Sequence, residues 1–210
     1  DWDENACRTL ERNKSDGVEH VRDWNILRAD IQTVDVREHV GTVNFVFGGP
    51  PCQPFSLGGK HRGQHDDRNM FPQAVRIIRE LRPIAFMFEN VKGLLRQSFH
   101  NYFTYILHQL RYPTVLRKGD EDWVSHLGRL EKRHSSGQRP SLTYCVNSQL
   151  LNAADFGVPQ KRERVFIVGI RADLGVEFSF PEATYSDDAL LYDKWVTGEY
   201  WDHHRILKRS

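Results

Sequence analysis

The chain has 210 residues, with 29 Lys and Arg against 28 Asp and Glu. A formal net charge of +1 excludes a uniformly basic nucleic-acid coat and leaves any such surface to a local patch. Three widely spaced cysteines (Cys7, Cys52, Cys145) argue against a disulfide framework. No apolar run has membrane-span length, so the expectation is a soluble intracellular protein with core enough for one domain.

Asp1-Trp2-Asp3-Glu4-Asn5 leads into a predicted helix carrying Ala6 and Leu10 and ending near Asn13 to Gly17, with Asp3 as candidate N-cap. An acid between a strand and a helix is where doubly wound folds hold a ribose hydroxyl; Asp1 stands in such a place, a frayed terminus being the alternative. Asp30-Ile31 closes the next segment and reads also as a turn. Val43 to Phe47 is a short apolar strand. Phe71, Ala74, Val75, Ile78 and Leu81 fall at helical spacing and predict an amphipathic helix over Phe71 to Leu81, ended by Pro83. Ile84 to Phe88 is a continuous apolar run, the pattern of a strand buried on both faces, with Glu89-Asn90-Val91 at its carboxyl end.

Ser98 to Leu110 reads as a further helix with Tyr102, Ile106 and Leu110 on one face. Residues 117–140 are charged and lack a clear period, so they read as an insertion or a surface loop, a solvated connection being the preferred reading. Thr143 to Leu151 and Arg164 to Ile170 are strands. After Pro181 the pattern weakens, and Trp195, Tyr200 and Trp201 suit a docking segment.

The stretch Phe47-Gly48-Gly49-Pro50-Pro51-Cys52-Gln53-Pro54-Phe55-Ser56 organises the rest. It sets a thiol just past a strand, between prolines that fix φ and after glycines expected to let the backbone leave the sheet in conformations closed to other residues. Packing alone gives no reason to hold a thiol so stiffly; the plain alternative is a buried free cysteine. Leu57-Gly58-Gly59-Lys60-His61-Arg62-Gly63 follows, glycine-rich and basic, a segment suited to meeting phosphates. Gln160-Lys161-Arg162-Glu163-Arg164 opens a strand, and alternation puts Arg162 and Arg164 on one face.

Taken together, Gly-Pro-Pro-Cys-Gln-Pro-Phe-Ser, Glu-Asn-Val and Gln-Lys-Arg-Glu-Arg, in that order, resemble the nucleophile loop and two further motifs of the DNA (cytosine-5)-methyltransferases. The resemblance covers roughly residues 1–185 and implies an α/β fold, a Rossmann-like S-adenosylmethionine (SAM)-dependent sheet with helices on both faces, incomplete at its N-terminus. It implies Cys52 as nucleophile, Glu89 as the acid that hydrogen-bonds cytosine nitrogen-3, and Arg162 and Arg164 as holders of the base O2 and of a phosphate or the nucleophile loop. It also implies Asp1, Trp2, Asp30, Ile31 and Pro51 as SAM contacts, and Gln53, Ser56, Lys60, Arg62 and Arg68 as DNA contacts. The chemistry explains the set. Thiolate addition at carbon-6 breaks the ring's conjugation and makes carbon-5 nucleophilic towards a methyl donor, and the base must leave the duplex for this to happen.

A Phe-x-Gly-x-Gly loop before Asp1, a recognition domain and a closing Asn-Ser-Val-type segment belong to the resembled pattern and are not in this sequence. The expectation is therefore a partial catalytic domain over 1–185, with 186–210 beginning a linker. Double-stranded DNA is the implied substrate, a paired restriction endonuclease the implied partner, and a bacterial cytoplasm with nucleoid association the implied place. No metal is expected, since no His/Cys cluster has ligand spacing. A tRNA cytosine-5 methyltransferase shares the Pro-Pro-Cys-Gln-Pro-Phe core, although Ser56 leans towards DNA. An inactive nucleic-acid-binding fragment or subunit is the third reading.

Overall fold

A computed structural model describes residues 1–51, 69–205 and 207. Helix α1 (Glu4–Ser15) starts where Asp3 accepts the Ala6 amide at 2.8 Å, the N-cap its sequence predicts. Strand β1 (Phe45–Gly48) leads to the Cys52 segment, and α2 (Phe71–Leu81) follows it. Strand β2 (Ala85–Val91) then runs two residues past Glu89. Helices α3 (His100–Arg111) and α4 (Trp123–Ser135) precede the antiparallel neighbours β3 (Tyr144–Asn152) and β4 (Glu163–Arg171). Two short helices, α5 (Asp187–Tyr192) and α6 (Glu199–His204), flank a single π turn at Asp193–Thr197. Among the described residues no helix is long and apolar enough to cross a membrane.

The α/β class is as expected, and the sheet is mixed. Its order is β1-β2-β4-β3, with β1 parallel to β2 and β4 antiparallel to both neighbours. Pairing register sets the faces. Phe86 and Phe88 share one face with Val165, Ile167, Gly169 and Val146; Met87 and Glu89 share the other with Phe166 and Val168. The β2 run alternates buried and half-buried positions, so it is not buried on both faces as its unbroken apolar sequence suggested.

The main core lies over the Phe86 face. Phe71, Ala74, Val75 and Ile78 of α2 and Tyr102, Phe103, Ile106 and Leu110 of α3 close on Phe86, Phe88, Tyr144 and Ile167. The fit is tight: a Cβ on Gly169 would stand 2.1 Å from the Phe86 ring, so that ring takes the room a side chain would need. The other flank of α2, through Ile77 and Leu81, packs on Val34, Val36 and Val43. On the opposite sheet face Phe45 and Phe47 of β1 are exposed.

Two further expectations are corrected. Residues 117–140 are not only a surface connection, because they contain α4, whose His126, Leu127 and Leu130 are buried against α3. Its Trp123 stacks edge-on to Tyr102, with ring centroids 5.6 Å apart. Nor do Gly48 and Gly49 take left-handed backbone. A Cβ at Gly48 meets nothing within 4 Å, and at Gly49 it meets only ordinary contacts.

Candidate active site

Parallel pairing of β1 and β2 brings their carboxyl ends together, Gly48 beside Phe88. Gly49 therefore reaches the flank of Glu89: the position of a Cβ on Gly49 is 3.6 Å from Glu89 Oε2. Beyond it the chain is pinned at Pro50, whose carbonyl accepts from Asn90 Nδ2 at 2.9 Å. The Pro51 carbonyl accepts the Met70 amide at 3.0 Å, so the backbone entering the Cys52 segment meets the backbone leaving it. Asn69, buried next to Met70, donates from Nδ2 to the Tyr102 hydroxyl and fixes the exit on α3. Cys52, Gln53, Ser56, Lys60, Arg62 and Arg68 lie outside the described residues; what the structure defines is the stem that carries them.

Glu89 faces β4 with its other oxygen. Oε1 lies 2.7 Å from Arg164 Nε and 3.8 Å from an Arg162 Nη. Arg164 pairs with Val91 in the ladder and so shares Glu89's face, as strand alternation requires. Arg162 sits just ahead of the strand. Its backbone is held from both sides, its amide donating to Asn152 Oδ1 at 3.0 Å and its carbonyl accepting the Ala153 amide at 3.0 Å. Between the two arginines, Glu163 points away to Lys92 at 2.7 Å. The result is a half-buried carboxylate with two guanidiniums on one side and the thiol stem on the other. Such a group sets carboxylate acceptors beside guanidinium donors, which suits a ligand with both kinds of edge better than a point charge.

The other predicted contacts gather in a second place. Asp1 and Ala29 are bonded through the Ala29 amide and the Asp1 carbonyl at 3.0 Å, and the Asp1 nitrogen donates to the Leu27 carbonyl at 3.2 Å. Asp1-Trp2 and Asp30-Ile31 are thus neighbours. Asp30 opens a turn in which its carboxylate accepts the Gln32 amide at 2.9 Å. Trp2 is 76% and Ile31 40% exposed, leaving two apolar surfaces beside two acids. Among the described residues no three His, Cys, Asp or Glu side chains group as a metal site would require.

The family model for C-5 cytosine-specific DNA methylases matches residues 1–112 and 137–203. The chain belongs to that family. Among curated members it is 36% identical to the Type II methyltransferase M.AquIA of Picosynechococcus sp., over 87% of this chain and 65% of that protein. It is 33% identical to M.NgoMIV of Neisseria gonorrhoeae over 84% of this chain and 45% of that one, and 30% identical to M.NaeI of Lentzea aerocolonigenes over 95% and 42%. The chain thus spans between two fifths and just under two thirds of the length of these methylases. The fold is shared with the solved Entamoeba histolytica methyltransferase EhMeth, at a TM-score of 0.50 and 14% identity, over 89% of this chain and 48% of that one.

The methylase family model passes over residues 113–136, the segment that holds α4. The motif residues Glu89, Arg162 and Arg164, apart in sequence, come together in space. Asn90, which holds the stem at Pro50, was missed as a functional residue. Its signal was its place after the acid in Glu-Asn-Val, where an amide can serve a neighbouring loop.

Proposed function

We propose that this chain carries the catalytic machinery of a DNA (cytosine-5)-methyltransferase. The observation that supports it is Glu89, bracketed by Arg164 and Arg162 beside the stem of the Cys52 segment. In this reading the Cys52 thiolate adds to carbon-6 of an extruded cytosine. Glu89 hydrogen-bonds nitrogen-3 as charge arrives on the ring, and the arginines hold the base oxygen and the adjoining phosphate or loop. Gln53, Ser56, Lys60, Arg62 and Arg68 contact the DNA, offsetting the cost of unstacking.

The residues at the second cluster fit the adenosine half of SAM: Asp1 and Asp30 supply acceptors for a ribose diol and a ring amine, and Trp2 and Ile31 supply exposed apolar faces. Pro51 belongs to the same set. When bound, SAM would supply a sulfonium-activated methyl group to carbon-5 and leave as S-adenosylhomocysteine; loss of the carbon-5 proton to a base and departure of the Cys52 thiolate from carbon-6 then restore the ring. Residues 1–185 form the catalytic unit and 186–210 lead towards a recognition segment. The substrate is duplex DNA, the setting a bacterial cytoplasm and nucleoid, and the functional partner an endonuclease of the same specificity.

The test is transfer of labelled methyl from SAM to duplex DNA and, in parallel, to RNA. Transfer to DNA is expected, abolished by Cys52→Ala, while Glu89→Gln slows it by about 10²- to 10⁴-fold with DNA binding largely kept. Wild-type rates in Cys52→Ala remove the nucleophile assignment, and transfer to RNA alone moves the substrate.

A further inference from the structure

Among the described residues, the most heavily engaged charged side chain outside the motif residues is Arg76, midway along α2 and only 19% exposed. All three of its guanidinium nitrogens are used. Nη2 donates to the Ile31 carbonyl at 2.5 Å, and Nη1 to the Val34 carbonyl at 3.3 Å and to Glu80 Oε2 at 2.9 Å. Nε donates to Gln73 Oε1 at 2.7 Å. Gln73 and Glu80, one turn before and after Arg76 on the same helix, fix the plane of the fork. The Thr33 amide returns to the Asp30 carbonyl at 2.9 Å, so the Ile31 carbonyl lies inside the turn that Asp30 opens and the Val34 carbonyl just past it. The fork therefore grips that turn from within and at its far end. An ammonium on a flexible stem has no such geometry.

The same helix is rooted in the other half of the site. Met70 immediately precedes α2; its amide bonds the Pro51 carbonyl, and its own carbonyl accepts from Ala74 in the first turn. Below Arg76, Ile77 and Leu81 pack on Val34 and Val36. One rigid element thus carries the exit of the Cys52 segment at its start and the turn of Asp30 and Ile31 on its flank.

We propose that Arg76 is a positioning residue that holds Asp30 and Ile31 in place for the cofactor and fixes that place relative to the nucleophile stem. This rests on the reading of Asp30 and Ile31 as SAM contacts. Arg76 itself acts through the two carbonyls.

The experiment is calorimetric titration of the full polypeptide with SAM and with S-adenosylhomocysteine, for wild type, Arg76→Ala, Arg76→Lys, Asp30→Ala and Arg79→Ala. Arg79 lies on the same helix with only a loose pair to Glu80 at 3.8 Å, and serves as the charge control. Loss of the charged clamp is expected to weaken binding about tenfold or more in Arg76→Ala, and about three- to tenfold in Arg76→Lys. Arg79→Ala and the DNA affinity of every variant are expected to stay within about twofold. In turnover, the KM for SAM should rise in Arg76→Lys while kcat at saturating SAM holds, a split that general loosening of the fold would not give. Should Arg76→Ala fail to fold by circular dichroism, Arg76→Lys decides. Binding within twofold of wild type in Arg76→Lys, with Asp30→Ala impaired, overturns the clamp and leaves the proposed function standing. A wild-type protein that binds DNA but no SAM overturns the cofactor reading and the clamp with it.

Discussion

Glu89 divides its oxygens. Both arginines address Oε1, and Oε2 lies towards Gly49, on the side from which the Cys52 stem leaves. This gives Gly49 a purpose other than the unusual backbone its sequence suggested. A methyl there would clash with nothing but would sit in van der Waals contact with the carboxylate and cover it. Gly49→Ala is therefore expected to melt within a few degrees of wild type while methyl transfer falls by about 10- to 100-fold, as small misplacements at a reacting group do. Thermal unfolding and initial rates on the same preparation check it; unchanged rates would mean that Oε2 is not the working atom. The meeting of Glu89 with Arg162 and Arg164 was legible because Glu89 ends the apolar strand after the Cys52 loop and the arginines alternate at the start of another. Asn90 and Arg76 were not, because their partners are backbone carbonyls some 40 residues away, and a carbonyl leaves no trace in the sequence.

Helix α4 shows how a buried face escapes a reading by hydrophobic period. Trp123, His126, Leu127 and Leu130 do recur at helical spacing, but one position is histidine and the flanks are charged. Histidine belongs there because its nitrogens are satisfied: the Val115 carbonyl accepts from His126 Nε2 and Tyr105 bonds Nδ1, each at 2.9 Å. His134 meets the Tyr112 hydroxyl at 2.9 Å and the His108 ring edge-on, while His108 Nδ1 is buried without a partner. Burial lowers all three histidines. His108 goes to about 4, with Arg111 and His134 adding to the effect; for His126, Arg129 and Arg117 act in the same sense against Val115 and Glu121, and for His134 the further cause is Arg111.

The folded state thus takes up fewer protons than the unfolded chain, whose histidines titrate near pH 6.5. Stability is full above that pH and falls as pH drops towards 4, with His108 accounting for up to about 3 kcal/mol. Urea unfolding at pH 7 and pH 4.5 should show the loss, and His108→Leu should shrink it; an equal loss in that variant would place the sensitivity elsewhere. Glu121, held down to about 2 by the hydrogen bond from Arg129, adds stability that starts to be lost only near the ordinary carboxylate value of 4.5, at the foot of this window.

At the scale of the molecule, the sheet has one heavily packed face. Phe86 is fully buried among α2, α3 and Tyr144, whereas Phe47 on the adjoining strand is 67% exposed. Phe86→Ala should cost about 3–5 kcal/mol in a denaturant titration and Phe47→Ala under about 1 kcal/mol. Comparable costs would show that the Phe47 face is covered in solution. The strands and the first three helices were readable from apolar periodicity; α4 and the sidedness were not. An unbroken run such as Ile84 to Phe88 looks the same whether one face or two are covered, and only pairing with β4 assigns Met87 and Glu89 to the open side.

That pairing also dictates where this chain is free to change its length. Arg164 meets Glu89 because β4 runs against β2 in one register, Glu89 opposite Phe166. Adding or deleting one residue between Arg164 and the opposite end of β4 would turn either the arginine or the core residues beyond it to the wrong face. The ladder thus forbids single steps. The segment at 113–136 lies outside it and could gain a whole helix at little cost in loop closure. Lengthening and shortening in descendants of this chain should therefore collect beside α4, leaving the run from Arg164 to Arg171 at a constant count.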